Sequence, residues 1–295
     1  MKNKLLCILL VVAMLFSFAA CGEKADITII DGDFAEMKLF TQIAKIMIEE
    51  NTDLKVKVQD PIASNLAFEQ IQSGKMDIYM SYDGSLLTTY LGLDVSEIPE
   101  GMSLYDYANE KGKETANVML LGKLGNENTY AIAVQGETAD KYNLKKISDL
   151  KNIASDLTFA AEHEFFDEGS KHYDSFVNYY GLNFKEANTI DRGLKYTAIS
   201  SGNMDVTLVY STDGLNKKFE LSILDDDKGF FPEYNGAFLA RADLYQDYPE
   251  LEAVFEKLVG HFDNEKCIEM NYRIDVLGEE PYDVAYEFLS NEGLI

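Results

Sequence analysis

The chain has 295 residues, of which 46% are hydrophobic and 26% charged, and its formal net charge is -25. This composition excludes a disordered chain, a collagen-like repeat and a small disulfide scaffold. The length predicts two lobes rather than one core. A surface this acidic repels phosphate backbones, so nucleic acid is a poor partner, and most of the charge is expected on a solvated surface.

The N-terminus has the pattern of an export signal. Lys2 and Lys4 precede the uncharged run Leu5–Ala20, which ends in small residues. The run continues into Cys21-Gly22 and resembles a bacterial lipobox, which predicts cleavage before Cys21 and lipidation of its sulfur. A plain signal peptide with an incidental cysteine is the alternative. We expect a signal peptide at residues 1–20 and a protein anchored by lipid to the extracytoplasmic face of the cell membrane.

The cysteines agree with export. Cys7 leaves with the signal and Cys21 is acylated, so Cys267 is the only thiol remaining in the mature chain. No disulfide within that chain is then expected, and the helical, partly apolar surroundings of Cys267 predict a packing role.

The mature chain alternates predicted strands and helices. In the first part, Asp33 and Glu36 form a capping-box pattern at the start of an amphipathic helix that continues to about Glu50. The strands are predicted at 26–30, 54–58, 76–80, 157–161 and 205–209, and two further helices at 64–73 and 170–180. This alternation predicts an α/β fold with mainly parallel strands.

Comparison of the chain with itself reveals a repeat. Residues 71–82 align without gaps on residues 199–210, with six identities in twelve positions. Each copy reads as a helix end, a glycine cap, a buried strand and a tyrosine, Tyr82 or Tyr210. Because ligands of open α/β sheets bind beyond the carboxyl ends of strands, these two tyrosines are expected to face a cleft between two similar lobes.

Signatures of catalysis are missing from the sequence. It has no Gly-rich phosphate loop, no Gly-x-Ser-x-Gly elbow, no His-Glu-x-x-His motif and no cysteine pair with zinc spacing. His163, His172 and His261 form no recognisable metal set. His163 follows a predicted strand, so a place in the cleft and a structural role at the strand end are both open. We therefore predict a protein that is not an enzyme and that uses no metal or cofactor.

The aromatic residues indicate a different chemistry. The chain has 18 Tyr and 17 Phe but no Trp. A tyrosine ring offers its negative face to a cation, and several rings can enclose a quaternary ammonium, which cannot donate a hydrogen bond. The alternative is that most of these tyrosines are core or surface residues.

Six stretches of the chain have a recognisable pattern: SNLAFEQIQSGKMDIYMSYDG (64–84), NTYAIAV (128–134), HEFF (163–166), DRGLKYTAISSGNMDVTLVYSTDG (191–214), DDDKGFFPEYNGAFL (225–239) and NYRIDVLGEEPYDVAYEFL (271–289). On these stretches the chain resembles, from about Ile27 to Leu289, the substrate-binding proteins of the glycine betaine/carnitine/choline ABC importers, the osmoprotectant-binding family. The resemblance implies a two-lobed periplasmic-binding-protein type II clamshell. We expect lobe 1 at 26–132 plus 235–295 and lobe 2 at 133–234.

The resemblance also implies the ligand site. By matched motif, a cage around a trimethylammonium group consists of Tyr82, Tyr130, Tyr210 and Tyr234. Contacts to the rest of the ligand are expected from Ser64, Asn65, Asp83 and Ser85, because the first two open a helix and could present hydroxyl and N–H donors. For Ser211, Thr212 and Asp213, a place at the site and a helix-capping role are equally open.

Three departures from the family pattern fall on lobe 1. The family often has Glu-Tyr-Thr-Gly-Thr where this chain has residues 81–85, with Asp83 at the centre. It also has a polar residue at the position of Met37, and Gly-Gly-Thr-Ser in place of residues 62–65. If Asp83 points inward, it favours choline over glycine betaine; if it points outward, it has no effect.

Together these features predict a lipid-anchored, monomeric solute-binding protein. It would capture a quaternary-ammonium compound (choline, glycine betaine or carnitine) by closure of two lobes and deliver it to an ABC permease. The rivals are an enzyme on the same fold and a ligand-sensing lipoprotein that signals to a partner.

Overall fold

The computed structural model describes residues 25–166 and 172–295, and the predicted signal peptide and Cys21 lie outside these residues. The strands are Ile27–Ile30 (β1), Val56–Gln59 (β2), Ile78–Tyr82 (β3), Val118–Leu121 (β4), Tyr130–Gln135 (β5), Thr158–Ala161 (β6), Glu186–Thr189 (β7), Val206–Tyr210 (β8), Leu221–Leu224 (β9) and Gly236–Arg241 (β10). The α-helices are Ala35–Asn51 (α1), Ser64–Gln72 (α2), Leu104–Ala116 (α3), Gly136–Tyr142 (α4), Tyr173–Tyr180 (α5), Arg192–Ser200 (α6), Gly214–Lys218 (α7), Leu244–Asp247 (α8), Glu250–Glu256 (α9), Asn264–Asp275 (α10) and Pro281–Asn291 (α11).

The strands form two five-stranded sheets of the same plan. Their orders are β2-β1-β3-β10-β4 and β7-β6-β8-β5-β9. This confirms the predicted two-lobed α/β architecture. The prediction of mainly parallel strands is only half correct, because β10 and β5 run antiparallel to both of their neighbours. Each is the first strand after the chain passes to its sheet, and it enters the sheet in the reverse direction.

The two chain segments that connect the sheets lie side by side. Glu127 and Asn235 form an antiparallel bridge, and the Asn128 N–H donates to the Tyr234 carbonyl at 3.0 Å. Since β5 pairs with the second sheet from Tyr130 onward, the first crossing lies before Tyr130 rather than after residue 132. The other lobe boundaries stay predictions.

The two copies of the sequence repeat also adopt equivalent positions in the structure. Asp77 accepts a hydrogen bond from the Thr28 N–H at 2.7 Å, and its counterpart Asp205 accepts one from the Thr158 N–H at 2.8 Å. Each aspartate thus ties its strand to the first residues of the neighbouring parallel strand. The repeat tyrosines Tyr82 and Tyr210 are the last residues of β3 and β8, so the predicted equivalence of their positions is confirmed.

Several predicted boundaries shift, and one prediction of capping is wrong. Strands β3 and β8 lie one or two residues further along the chain than predicted. Helix α1 has Phe34 in the N-cap position with no side-chain hydrogen bond, so Asp33 and Glu36 do not form a capping box. The Glu36 side chain is buried instead, only 1% exposed.

The main hydrophobic cores of the two lobes differ in composition. In the first lobe, α1 is buried along most of its length, against a core that includes Phe40, Phe238 and Cys267. The predicted packing role of Cys267 is confirmed, since its side chain is fully buried. In the second lobe the core is rich in phenylalanine: Phe159, Phe165, Phe176, Phe184, Phe230 and Phe231. No helix in the described part of the chain is long and apolar enough to cross a membrane.

Candidate ligand-binding site

A cavity of about 660 Å³ opens between the two sheets, and we call it the first cavity. It receives side chains from the carboxyl ends of β3 and β8 and from the two crossing segments. The start of α1 and the end of α10 complete its lining. Its lining residues are Asp33, Phe34, Ala35, Glu36, Tyr82, Ser85, Asn128, Thr129, Tyr130, Tyr210, Thr212, Asp213, Leu215, Tyr234, Asn271 and Asp275. All four tyrosines expected in the cage line this one cavity.

The second lobe places two of these rings next to each other. Tyr130 begins β5 and Tyr210 ends β8, and the two residues are directly opposite in the antiparallel ladder. Their side chains therefore emerge on the same face of the sheet. The ring centroids are 5.3 Å apart with the planes tilted by 41°, an arrangement that forms two sides of a corner.

The ring of Tyr234 is held close to the first lobe by a glycine. A Cβ on Gly84 would lie 2.7 Å from the Glu233 carbonyl oxygen and 2.8 Å from Cδ1 of Tyr234. Only glycine permits this approach of the Tyr234 ring to the end of β3. Tyr234 is thus positioned by the same turn that follows Tyr82.

A buried carboxylate, Glu36, lies at the floor of the first cavity. Its Oε1 accepts from the Tyr82 hydroxyl at 2.6 Å and from the Asn128 amide at 3.2 Å, and its Oε2 accepts from the Asn271 amide at 3.2 Å. Burial raises the pKa of the Glu36 carboxyl, while the Thr212 hydroxyl and these other donors act to lower that pKa. Every one of these partners is a neutral donor.

This network connects both lobes through the cavity floor. The Asn271 amide also donates to the Thr212 carbonyl at 2.8 Å, which joins α10 of the first lobe to the segment after β8. The Asn128 amide donates to the Tyr82 hydroxyl at 3.1 Å. The ring of Tyr82 is therefore fixed by Glu36 and by the first crossing segment.

The charge of the lining is negative. Asp33, Glu36, Asp213 and Asp275 contribute carboxylates, and none of the described residues that line the cavity is Lys, Arg or His. The described part of the chain also contains no group of three or more His, Cys, Asp or Glu residues placed to hold a metal ion. A lining of π-faces and carboxylates suits an organic cation.

Comparison with known proteins identifies the family. Residues 25–291 match the model of the substrate-binding domain of ABC-type glycine betaine transport systems. The chain belongs to this family. It is 34% identical to a carnitine transport binding protein of Listeria monocytogenes, with 98% of this chain and 97% of the relative covered. The family consists of extracytoplasmic solute-binding proteins of ABC importers, which are not enzymes.

Two further matches support the assignment. A crystal structure of a glycine betaine/carnitine/choline ABC transporter is similar to this chain with a TM-score of 0.85 and 29% identity, over 91% of this chain and 99% of that one. A Helicobacter pylori protein named as an ergothioneine transport permease and binding protein is 30% identical, over 75% of this chain and 39% of its own length.

The structure does not bring every expected residue to the first cavity of this substrate-binding protein. Ser85 lines it. Ser64 and Asn65 are exposed in the first turn of α2 and are not among its lining residues. The Ser64 hydroxyl interacts with the hydroxyl of Tyr90, which also interacts with Ser81. The structure therefore does not bring Ser64 and Asn65 to this cavity, and ligand contacts from these two residues stay a prediction.

Asp83 and Met37 also lie away from the cavity lining. The Asp83 carboxylate is fully buried and accepts from the Asn235 N–H and the Asn235 amide, both at 2.8 Å, and from the Gly84 N–H at 2.7 Å. Asp83 thus points neither into the cavity nor into solvent; it joins the end of β3 to the second crossing segment. Met37 is buried, with its sulfur 3.9 Å from the Tyr79 hydroxyl.

Residues 211–213 had two open roles, a place at the site and the capping of a helix, and the structure shows elements of both. Asp213 caps α7 by accepting from the Leu215 N–H at 2.9 Å, and it also lines the cavity with Thr212. The Ser211 hydroxyl donates to the Glu127 carbonyl at 2.8 Å and so fixes the first crossing segment.

Sequence reasoning missed the polar floor of the site. The sequence pattern predicts a helix-capping role for Glu36, and Asn128 and Asn271 open two stretches that match the family without being singled out as site residues. A signal was present for Glu36: it lies in the first turn of α1 at helical spacing from Phe40 and Ile43, on a face that is otherwise apolar.

Proposed function

We propose that this protein binds a quaternary-ammonium compound (choline, glycine betaine or carnitine) inside a cage of Tyr82, Tyr130, Tyr210 and Tyr234. One observation carries the proposal. The four rings line one cavity whose floor is Glu36, a buried carboxylate with no basic partner among the described residues. A bound cation would supply the missing counter-charge.

The physical argument favours a bulky, weakly hydrated cation. A desolvated cation–π contact contributes about 2 kcal/mol, and several rings add their contributions around one trimethylammonium group. For a small metal ion, the free-energy cost of losing its hydration shell would exceed the cation–π stabilisation that the rings provide. A primary amine would need hydrogen-bond acceptors in place of ring faces.

The acidic lining bears on the choice among quaternary-ammonium ligands. The carboxylate of glycine betaine would share a cavity with Glu36, Asp33, Asp213 and Asp275, and like charges repel. Choline carries a hydroxyl there instead, for which Ser85 is a candidate partner. We therefore expect choline to bind at least as well as glycine betaine, for a reason that lies in these four carboxylates rather than in Asp83 or Met37.

The remaining steps of the function are also proposals. The two crossing segments at Asn126–Asn128 and Tyr234–Gly236 would act as the hinge on which the lobes close over the ligand. The signal at residues 1–20 and lipidation of Cys21 would hold a monomer at the membrane, next to an ABC permease that receives the ligand.

Two experiments test this function. Calorimetric titration of the mature protein with choline, glycine betaine, carnitine and proline betaine should give saturable binding, and the tertiary-amine analogue of choline should bind more weakly. Absence of binding to all four would refute the proposal. Uptake of labelled choline in cells with and without the gene distinguishes an importer component from a ligand sensor, because a sensor would leave uptake unchanged.

A further inference from the structure

Glu36 is a carboxyl group buried at the ligand cavity without a positive partner. Its side chain is 1% exposed and belongs to the cavity lining. None of the ion pairs among the described residues includes Glu36. Burial penalises the ionised form of a carboxyl group, and an opposite charge nearby is what normally offsets this penalty. In the ligand-free protein this environment favours a proton on Glu36.

The basic residues of the neighbouring helices are directed to other acids. On α1, Lys38 acts on the pKa of the Asp31 carboxyl, which it lowers. The basic residues of α10 are Lys266 and Arg273, and they form ion pairs with Glu292, Glu279 and Glu287. Glu36 is therefore stabilised by neutral groups rather than by a charge of the protein.

These neutral groups suit both protonation states of Glu36. They are the hydroxyls of Tyr82 and Thr212 and the amides of Asn126, Asn128 and Asn271. A hydroxyl donates to a carboxylate or, after rotation of its O–H bond, accepts from a carboxylic acid. The Oδ1 atoms of the three amides are buried without a hydrogen-bond partner among the described residues. Rotation of one amide would turn such an oxygen toward a protonated Glu36, so neither state leaves the carboxyl group without partners.

The other titratable groups around Glu36 and the cavity are acidic as well. They are Asp33 on α1, Tyr82 on β3, Asp213 after β8, and Cys267 and Asp275 on α10, whereas the first crossing segment contributes amides. Burial raises the pKa of the Tyr82 hydroxyl and of the Cys267 thiol well above their ordinary values, so both stay neutral. The three aspartates repel a further negative charge at Glu36 and attract a cation.

A quaternary ammonium in the cage would shift this balance toward the ionised carboxylate. The hydroxyl of the cage residue Tyr82 donates to Glu36 at 2.6 Å, so a cation on the Tyr82 ring lies within range of the Glu36 charge. Such a ligand has no N–H group and cannot donate a hydrogen bond to the carboxyl group. Its charge alone favours the loss of the proton.

We propose that capture of the quaternary-ammonium ligand is coupled to release of a proton from Glu36, so that the site binds tightly at neutral pH and loses affinity in acid. The inference rests on the proposed cage. On binding, the O–H bond of the Glu36 carboxyl breaks, the proton passes to the solvent, and the ligand supplies the positive charge near the carboxylate. Burial raises the pKa of Glu36 above its ordinary value of 4.5, which moves this exchange toward neutral pH.

Linkage gives the direction and the limit of the effect. Above the pKa of Glu36 in the ligand-free protein, the carboxylate is already ionised and the Kd is constant. Below that pKa, binding has to displace a proton, so the Kd rises as the pH falls. Protonated glutamate and glutamine are both neutral, so the affinity of the wild type in acid should approach that of Glu36→Gln. The total loss is roughly 30-fold for a charge pair of this separation.

Titrations of choline between about pH 4.5 and about pH 8 test the coupling. The wild type should lose affinity as the pH falls, and Glu36→Gln should show a much weaker dependence. Asp31→Asn is the matched control, because the Asp31 carboxyl is half-buried with a raised pKa but does not line the cavity. An amide oxygen at this position still accepts from the Gly32 N–H. Asp31→Asn should follow the wild type, and melting temperatures show where each protein is folded.

Two further measurements detect the proton itself. In two buffers of different ionisation enthalpy at about pH 5, the binding enthalpy of the wild type should differ by the amount that a released fraction of one proton predicts. Glu36→Gln should show no such difference. Infrared difference spectra of the wild type need no variant: choline should remove the C=O band of one protonated carboxyl group.

The outcomes separate the coupling from the cage. A wild-type Kd that does not change with pH, or an equally strong pH dependence in Glu36→Gln, would overturn the coupling. If Glu36→Gln does not fold, a wild type with neither a buffer-dependent enthalpy nor a lost carboxyl band has the same consequence. If choline does not bind even at about pH 8, the cage proposal itself fails.

Discussion

Replacement of Glu36 by glutamine tests whether the cavity floor contributes a charge to binding. The substitution keeps the size and the planar shape of the side chain, and one oxygen can still accept from Tyr82 and Asn128. What it removes is the negative charge that no described basic residue balances. We expect Glu36→Gln to fold and to bind choline more weakly.

The magnitude follows from distances in the site. The Tyr82 hydroxyl is 2.6 Å from Glu36 Oε1, and a cation within about 6 Å of the Tyr82 ring centroid lies roughly 8 Å from the carboxylate. At an effective dielectric constant of about 20, this pair interacts with about 2 kcal/mol, which corresponds to roughly a 30-fold change in Kd. Glycine betaine should lose less, because its own carboxylate is repelled by Glu36.

The assay is calorimetric titration of choline and glycine betaine on the wild type and on two variants. Glu110→Gln, an exposed residue of α3, is the control for loss of one negative charge at a distance. The melting temperatures of all three proteins report whether the fold is intact. A folded Glu36→Gln variant that binds choline as well as Glu110→Gln does would refute the counter-charge argument.

Four further results are expected. Choline should bind at least as tightly as glycine betaine in a direct titration, and a clear advantage for betaine would contradict the argument from the acidic lining. Asp83→Thr should leave the choline-to-betaine ratio unchanged but destabilise the fold, since it strips acceptors from Asn235 and Gly84. Burial raises the pKa of Asp83 from 3.8 to about 6. The contribution of Asp83 to the free energy of unfolding is therefore largest at low pH and declines as the pH rises through 6. Denaturant unfolding should show a larger difference in stability between wild type and Asp83→Thr at about pH 5 than at about pH 8. Gly84→Ala should displace the Tyr234 ring and weaken choline binding about ten-fold or more, with a smaller effect on the melting temperature. Cys21→Ala should abolish lipid labelling and release the protein from membranes while ligand binding persists, and retention of the variant on membranes in high salt would count against the lipobox.

The two-lobed α/β architecture could be predicted from the sequence because it depends on local patterns of residues. The repeat at residues 71–82 and 199–210 predicted two lobes of one topology, and Asp77 and Asp205 make the same contact in each. The direction of β5 and β10 was not accessible, since periodicity describes one strand and says nothing about its neighbours. For the same reason, the point at which the chain passes from the first sheet to the second was predicted a few residues too late; it lies before Tyr130.

Around the first cavity, the positions of the tyrosines could be predicted and the polar floor could not. Tyr82 and Tyr210 end strands, which local patterns locate well. Glu36 contacts groups that are distant along the chain, among them Asn128 and Asn271, and such a network depends on tertiary packing. Asp83 illustrates the opposite error: its place next to Tyr82 suggested a ligand contact, but its carboxylate accepts hydrogen bonds from the backbone and the side chain of Asn235 in the second crossing segment.

The most direct test of the account is the affinity for choline of the four single variants Tyr82→Ala, Tyr130→Ala, Tyr210→Ala and Tyr234→Ala, measured with the melting temperature of each. If the rings form a cage, each variant should bind choline roughly 30-fold more weakly, the equivalent of one cation–π contact of about 2 kcal/mol, in the fraction that is folded. If the tyrosines serve packing alone, the variants will melt at lower temperature while the folded protein binds choline with wild-type affinity, and that result would contradict the account.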